Sequence, residues 1–182
     1  LLFGNATALD WTKTIFDVID ARSFSNIWFW IVLAVVWSSA SHYVIGVPFD
    51  VIQRARRQGG QAMLDLEDAV RVNVNRILFV GETAGYWLLG LVTFVLTTLL
   101  VLAIWYRIEI AQAIILLALP MTLVGLLSLR LARRIAAEIP TGDLLFRYLH
   151  RHRFWTQAIG MVSIFVTATY GMYHNLVVVN GF

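Results

Sequence analysis

ILFVGETAGYWLLGLVTFVLTTLLVLAIWYRIEIAQAIILLALPMTLVGLLSL, residues Ile77–Leu129, carries only three charged side chains, Glu82, Arg107 and Glu109. About 20 apolar residues suffice to cross the hydrocarbon core of a bilayer, so this stretch is long enough to cross twice. It reads as two spans, 77–106 and 110–130, with the only candidate turn at Trp105–Glu109. So short a turn predicts antiparallel neighbours. The first of the pair is longer than a crossing needs, which predicts a tilt or a projection from the membrane.

Two further spans follow on working outward. NIWFWIVLAVVWSSASHYVIGV forms a span over 26–47 that ends before Pro48, since proline disfavours helical geometry in the residue before it. The last span runs over 154–177. The intervening segment 48–76 contains Gly59-Gly60, a hinge or cap signal. A short helix is predicted from Gln61 to Asn75, with Leu64, Val70, Val74 and Ile77 on its apolar side. Segment 131–153 holds a turn at Pro140–Asp143 and a helical stretch from Leu144 to His152. In residues 1–25, Trp11, Ile15, Val18 and Ile19 recur at helical spacing, with Asp10, Asp17 and Asp20 mainly opposite. That pattern suits a helix lying in the membrane interface, and a loosely ordered leader is the alternative. The reading is therefore an all-α integral membrane protein, a single membrane domain over 1–182 with four transmembrane helices and an N-terminal interfacial amphipathic helix.

Composition agrees with this reading. Hydrophobic residues make up 59% of the 182 residues and charged residues 14%, against about 25% charged in a soluble domain. The net charge of +3 and a pI near 9.6 do not point to nucleic acid, because the basic residues gather in two short segments beside apolar runs. Arg54, Arg56, Arg57, Arg71 and Arg76 follow the first span, and Arg130, Arg133, Arg134, Arg147, Arg151 and Arg153 follow the third. Only Lys13, Arg22 and Arg107 fall on the other side. An excess of Lys and Arg in short loops marks the cytoplasmic face, so both termini are expected outside, in a multi-pass protein of the bacterial inner membrane.

The chain has no cysteine, which excludes disulfides, thiolate nucleophiles and cysteine-ligated zinc or iron–sulfur clusters within it. It contains no phosphate-binding loop, nucleophile elbow, HExxH site or dinucleotide fingerprint. The first apolar run lacks a basic flank before it and a small-residue cleavage signal after it, so a cleaved signal peptide is not expected. No catalytic residue, cofactor or metal site is expected.

The polar residues at membrane depth form one candidate site. His42 and Glu82 each fall about five residues inside the cytoplasmic end of their spans, and Ser128 and Gln157 lie near the same level. A carboxylate at such depth normally faces protein, water or a partner. Two readings stand for this layer: an ion, proton or quinone contact, or hydrogen bonds that join the helices. Haem ligation by His42 would need a second histidine at its depth, and the spans supply none. Gly81 and Gly85, with Gly160, Thr167 and Gly171, thin helix surfaces for close packing.

The second candidate site is basic. Arg54, Arg56, Arg57, Arg133, Arg134, Arg147, His150, Arg151, His152 and Arg153 are candidate contacts for docking partners or anionic lipid headgroups. The alternating imidazoles of His150 and His152 have no adjacent carboxylate or cysteine, which favours headgroups over metal. On the outer side, Tyr170, Tyr173, His174 and Asn175 read as interface anchors.

The stretches DARSFSNIWFWIVLAVVWSSASHYVIGVPFD, QRARRQGGQAMLDLEDAVRVNVNRIL and TQAIGMVSIFVTATYGM resemble a family of small inner-membrane proteins from alphaproteobacteria of the Rhodobacter–Roseobacter group. Members of that family are often labelled as a component of the Suf iron–sulfur assembly complex. The resemblance spans roughly residues 10–175 and brings no catalytic residues with it. Suf assembly handles cysteine-bound sulfur and iron, so a cysteine-free chain in such an assembly is expected to contribute membrane docking and no iron–sulfur chemistry.

These features lead to the expectation of a non-catalytic accessory or scaffold subunit of a larger inner-membrane assembly. Its expected partners are membrane lipids, anionic headgroups included, and other membrane subunits or further copies of itself, with no nucleic acid. A small oligomeric channel or transporter using the layer around His42 and Glu82 is the alternative, and a lipid- or quinone-linked enzyme comes third.

Overall fold

The computed structural model describes Phe24 and residues 27–176, so the interfacial segment expected over 1–25, Phe24 excepted, and the end of the chain lie outside the described residues. The described chain is all-α apart from one small hairpin. In order it forms α1 (Ile27–His42), β1 (Tyr43–Val44), β2 (Val47–Pro48), α2 (Phe49–Gln58), α3 (Gly60–Ile104), α4 (Glu109–Glu138) and α5 (Gly142–His174).

The helix α1 stops at His42, short of the expected span end at residue 47. The physical cause is a two-residue hairpin turn. Ile45 (φ 51°) and Gly46 (φ 76°) both take positive φ, the requirement of the tight turn that matches strand twist. β1 and β2 pair antiparallel, Tyr43 with Pro48 and Val44 with Val47. Gly46 is needed twice over, because a Cβ there would also lie 2.8 Å from Asn73 Oδ1. The apolar residues Val44, Ile45 and Val47, which continue the hydrophobic run of α1 in sequence, are buried in a core outside it.

That core is a helical cap at the arginine-rich end. α2 contributes Ile52 and Ala55, α3 contributes Leu66, Val70 and Val74, α4 contributes Ala132 and Ile135, and α5 contributes Leu145 and Leu149. Each set recurs at three- or four-residue spacing, so each helix turns one stripe inward. Val70 and Val74 face as the sequence predicts, whereas Leu64 is exposed and Leu66 takes its place. The two segments between spans, 48–76 and 131–153, expected to be loops holding one short helical stretch each, are almost entirely helical. The Gly59–Gly60 hinge is real, with both residues at positive φ. No break follows it, and α3 runs on for 45 residues, about 67 Å at 1.5 Å per residue. The link between α4 and α5 shrinks to residues 139–141, closed by Ile139 in left-handed geometry followed by Pro140.

Away from the cap, α3 packs along α4, α4 along α5, and α5 along α1. A second apolar cluster, Leu33, Trp37 and Val124, fastens α1 to α4, with Ile159 of α5 against it. Among the described residues, two helices, α3 and α4, are long and apolar enough to cross a membrane. Only 6% of the most apolar stretch of α3 and 17% of that of α4 is buried within the chain. The core helix of a soluble protein would be mostly buried, so these exposed apolar surfaces give the protein membrane-spanning character. α1 is apolar but has 16 residues, and the inner stripe of α5 is too polar for its 33 residues to rank with α3 and α4.

Candidate functional site

The inner stripe of α5 organises the polar residues. Leu145, Leu149, His152, Thr156, Gly160, Ser163, Thr167 and Gly171 are its buried positions, each three or four residues from the last. A seam of small and hydroxyl residues allows close helix approach. Trp37 of α1 lies against Gly160, where a Cβ would come within 2.7 Å of the indole Cε3. Ser163 donates to the Leu116 carbonyl of α4 over 3.4 Å.

The four residues of the expected polar layer fare differently. His42, Glu82 and Gln157 are exposed, and among the described residues no hydrogen bond or ion pair joins them. Ser128 alone is engaged across a helix boundary. Its Oγ lies 3.0 Å from the Val124 carbonyl and 3.0 Å from Nε2 of His152 on α5. A hydroxyl has a single proton. When Ser128 gives it to Val124, Nε2–H of His152 must be the donor in the second bond, leaving Nδ1 as a bare acceptor. Nδ1 is buried with no partner among the described residues, as are Thr156 Oγ1 and Trp37 Nε1.

His152 therefore departs from its expected place among headgroup contacts. Sequence places it in a run of arginines, yet it is 7% exposed and faces the α4–α5 seam. One residue separates it from the fourth expected span. Burial pushes its imidazole below the ordinary value, because the charged form loses hydration.

The other basic candidates divide by what they touch. Arg54 sits 4.0 Å from Asp65, and Arg134 Nε donates to Glu138 Oε1 at 2.9 Å. The Tyr148 hydroxyl donates to the second Glu138 oxygen, and the Arg134 guanidinium lies 4.6 Å from the Tyr148 ring centroid. The Tyr148 hydrogen bond first, and Arg134 second, holds the Glu138 carboxyl below its usual range. This exposed triad clips the end of α4 to the start of α5. Glu67 of α3 adds a second clip by accepting the Gly142 N–H at 3.1 Å, which satisfies a donor of the first turn of α5. Arg153 stacks on Phe49, its guanidinium carbon 3.3 Å from the ring centroid.

Of the candidates that remain, the structure brings Arg56, Arg147 and His150 together. They line an open cleft of about 400 Å³ between α2 and α5, with Asp143 and Phe146. His150 is held by Nδ1, 3.1 Å from the Phe146 carbonyl, and its ring meets Phe49 edge-on at 5.7 Å. Arg57, Arg133 and Arg151 are exposed outside this cleft.

At the opposite end, sequence reading missed Phe24. Its ring packs against Phe29, Tyr170 and His174 with centroids 5.4–5.8 Å apart. Its N–H donates to Glu109 Oε1 at 2.8 Å, and its carbonyl accepts Trp30 Nε1–H at 3.1 Å. Two of the expected interface anchors, Tyr170 and His174, thus gather around one phenyl ring. Among the described residues no group of three or more His, Asp or Glu side chains could hold a metal ion.

Comparison with family models, with curated proteins and with solved structures finds no match.

Proposed function

We propose that this protein is a non-catalytic accessory or scaffold subunit of a larger inner-membrane assembly. It crosses the membrane four times, with the arginine-rich cap in the cytoplasm and both termini outside. The observation that supports this most is the form of α3. One end is fixed in the apolar core of the cap, while its membrane-level stretch buries almost nothing within the chain, leaving Tyr86 91% and Trp87 85% exposed. A helix so anchored and so open presents a long apolar face to lipid and to neighbouring subunits. Should the resemblance to Suf-labelled proteins reflect a shared assembly, the contribution is membrane docking, because the chain carries no thiol for sulfur or iron.

The test is purification of the full chain from its native membrane in mild detergent, with every co-purifying chain identified and quantified. The reading expects a membrane partner in fixed stoichiometry. Recovery as a homo-oligomer alone, with ion flux in proteoliposomes, would favour the channel alternative.

A further inference from the structure

We infer that the cleft between α2 and α5 binds the headgroup of an anionic phospholipid, with Arg56 and Arg147 on its phosphodiester and Asp143 on its hydroxyl-bearing alcohol. The inference rests on the membrane-spanning reading above.

Three observations converge. The first is geometric. Asp143, Phe146, Arg147 and His150 occupy positions i, i+3, i+4 and i+7 of α5, one face of the helix, and Arg56 of α2 closes the opposite wall of the roughly 400 Å³ cleft. The second is that its charges are unspent. Among the described residues the ion pairs are Arg54–Asp65, Arg71–Asp68 and Arg134–Glu138, so neither Arg56, Arg147 nor Asp143 has an ionic partner. His150 is steadied by the Phe146 carbonyl at Nδ1 and by the Phe49 ring, leaving Nε2 as its free nitrogen.

The third is depth. Phe154 and Trp155 are exposed aromatics at the start of the fourth span, the kind that sit at the membrane boundary. His150 and Arg147 precede Phe154 by four and seven residues, or about 6 and 10 Å along a helix axis. The headgroup layer of one leaflet is roughly 5–8 Å thick, so His150 falls within it, and the Arg147 backbone lies just beyond it, from where its long side chain reaches back to a phosphate. Charge selects among headgroups. Two arginines less one aspartate leave a net +1, which matches the single negative charge of a phosphodiester. Asp143 repels a second anionic group and accepts hydrogen bonds from hydroxyls, as on a glycerol headgroup.

The test uses the full chain in nanodiscs of phosphatidylcholine with a minor fraction of phosphatidylglycerol, counting lipids retained per chain by mass spectrometry after gentle release. Wild type should retain phosphatidylglycerol selectively. R56Q/R147Q should lower that selectivity about 30-fold, given roughly 1 kcal/mol per basic residue near an anionic surface. R76Q/R130Q, an equal charge loss at the same membrane boundary but outside the cleft, should lower it distinctly less, because these two side chains do not converge on one headgroup. Equal losses in the two variants would overturn the cleft in favour of diffuse surface charge. Wild type without preference over phosphatidylcholine would overturn it outright, and displacement by inorganic phosphate would assign the cleft to a free anion. Failure of the wild type to insert into the bilayer refutes the membrane reading itself, a different result from insertion without selectivity. Helical content is measured for each variant, and if the double variant misfolds, R56Q and R147Q singly carry the same comparison, each expected to lose about fivefold.

Discussion

Ser128 on α4 and His152 on α5 meet at 3.0 Å between Oγ and Nε2, and among the described residues this is the one polar contact that ties a residue of the expected membrane layer to another helix. It has a pH consequence. Burial lowers the folded-state pKa of His152, so the unfolded state takes up the proton first as pH falls from the ordinary imidazole value of about 6.5. Stability from the neutral buried ring is therefore complete above that value and is lost as pH drops through the lower, folded-state value. Thermal unfolding in detergent from pH 8 to 5 should show the wild-type Tm falling several degrees more than that of His152→Gln, which cannot titrate. Parallel pH profiles would remove His152 from the account.

The contact between Trp37 and Gly160 predicts a packing defect. A Cβ at position 160 would stand 2.7 Å from an indole that is 3% exposed. Gly160→Ala should destabilise by about 1–3 kcal/mol, the usual cost of overpacking. Trp37→Leu in the same chain should recover part of that loss, because the two positions share one contact. Additive losses would mean that the two residues do not press on one another.

Gly46 and Gly85 give a matched pair of glycine substitutions. Gly46 has φ +76° and faces Asn73 Oδ1, whereas Gly85 is helical with open space around it. Gly46→Ala should cost about 1–3 kcal/mol from its incompatible φ and the close approach. Gly85→Ala should be neutral or slightly stabilising. Apparent Tm measurements on both variants check this, and equal behaviour would remove the tight turn as a constraint.

Much of the membrane region was legible in the sequence, because apolar length is a property of a single segment. The α3–α4 turn, the Gly59–Gly60 hinge and the break at Pro140 fell where expected, each marked by local chemistry. The cap was not legible. Its core takes only two or three residues from each of several elements, and Val44, Ile45 and Val47 read as the end of a span because nothing local separates them from it. The same limit applies to the sites. Charge alone pointed to Arg147 and His150, but their union with Arg56 is a tertiary fact. The burial of His152 had no signal, since its flanking arginines face elsewhere on the helix.

Glu82 tests the proposed scaffold role against transport. It is exposed on α3 beside Gly81 and has no ion-pair partner among the described residues. Glu82→Gln should leave oligomeric state and partner recovery nearly unchanged, and wild-type proteoliposomes should show no proton or cation flux above background. Robust wild-type flux abolished by this substitution, without disassembly, would replace the scaffold with a conducting assembly.

In the proposed topology the two arginine-rich segments form one cap on the cytoplasmic side of a four-span protein. Because the chain has no cysteine, single cysteines can be placed without background at 54, 133 and 151 in the cap, at 106 in the α3–α4 turn, and at 13 and 180 near the ends. Labelling intact cells with a membrane-impermeant maleimide, before and after lysis, reads the side of each position. The account predicts that 13, 106 and 180 react in intact cells and that 54, 133 and 151 react only after lysis. Reaction of 54 or 133 in intact cells, or protection of 106 together with them, would contradict it.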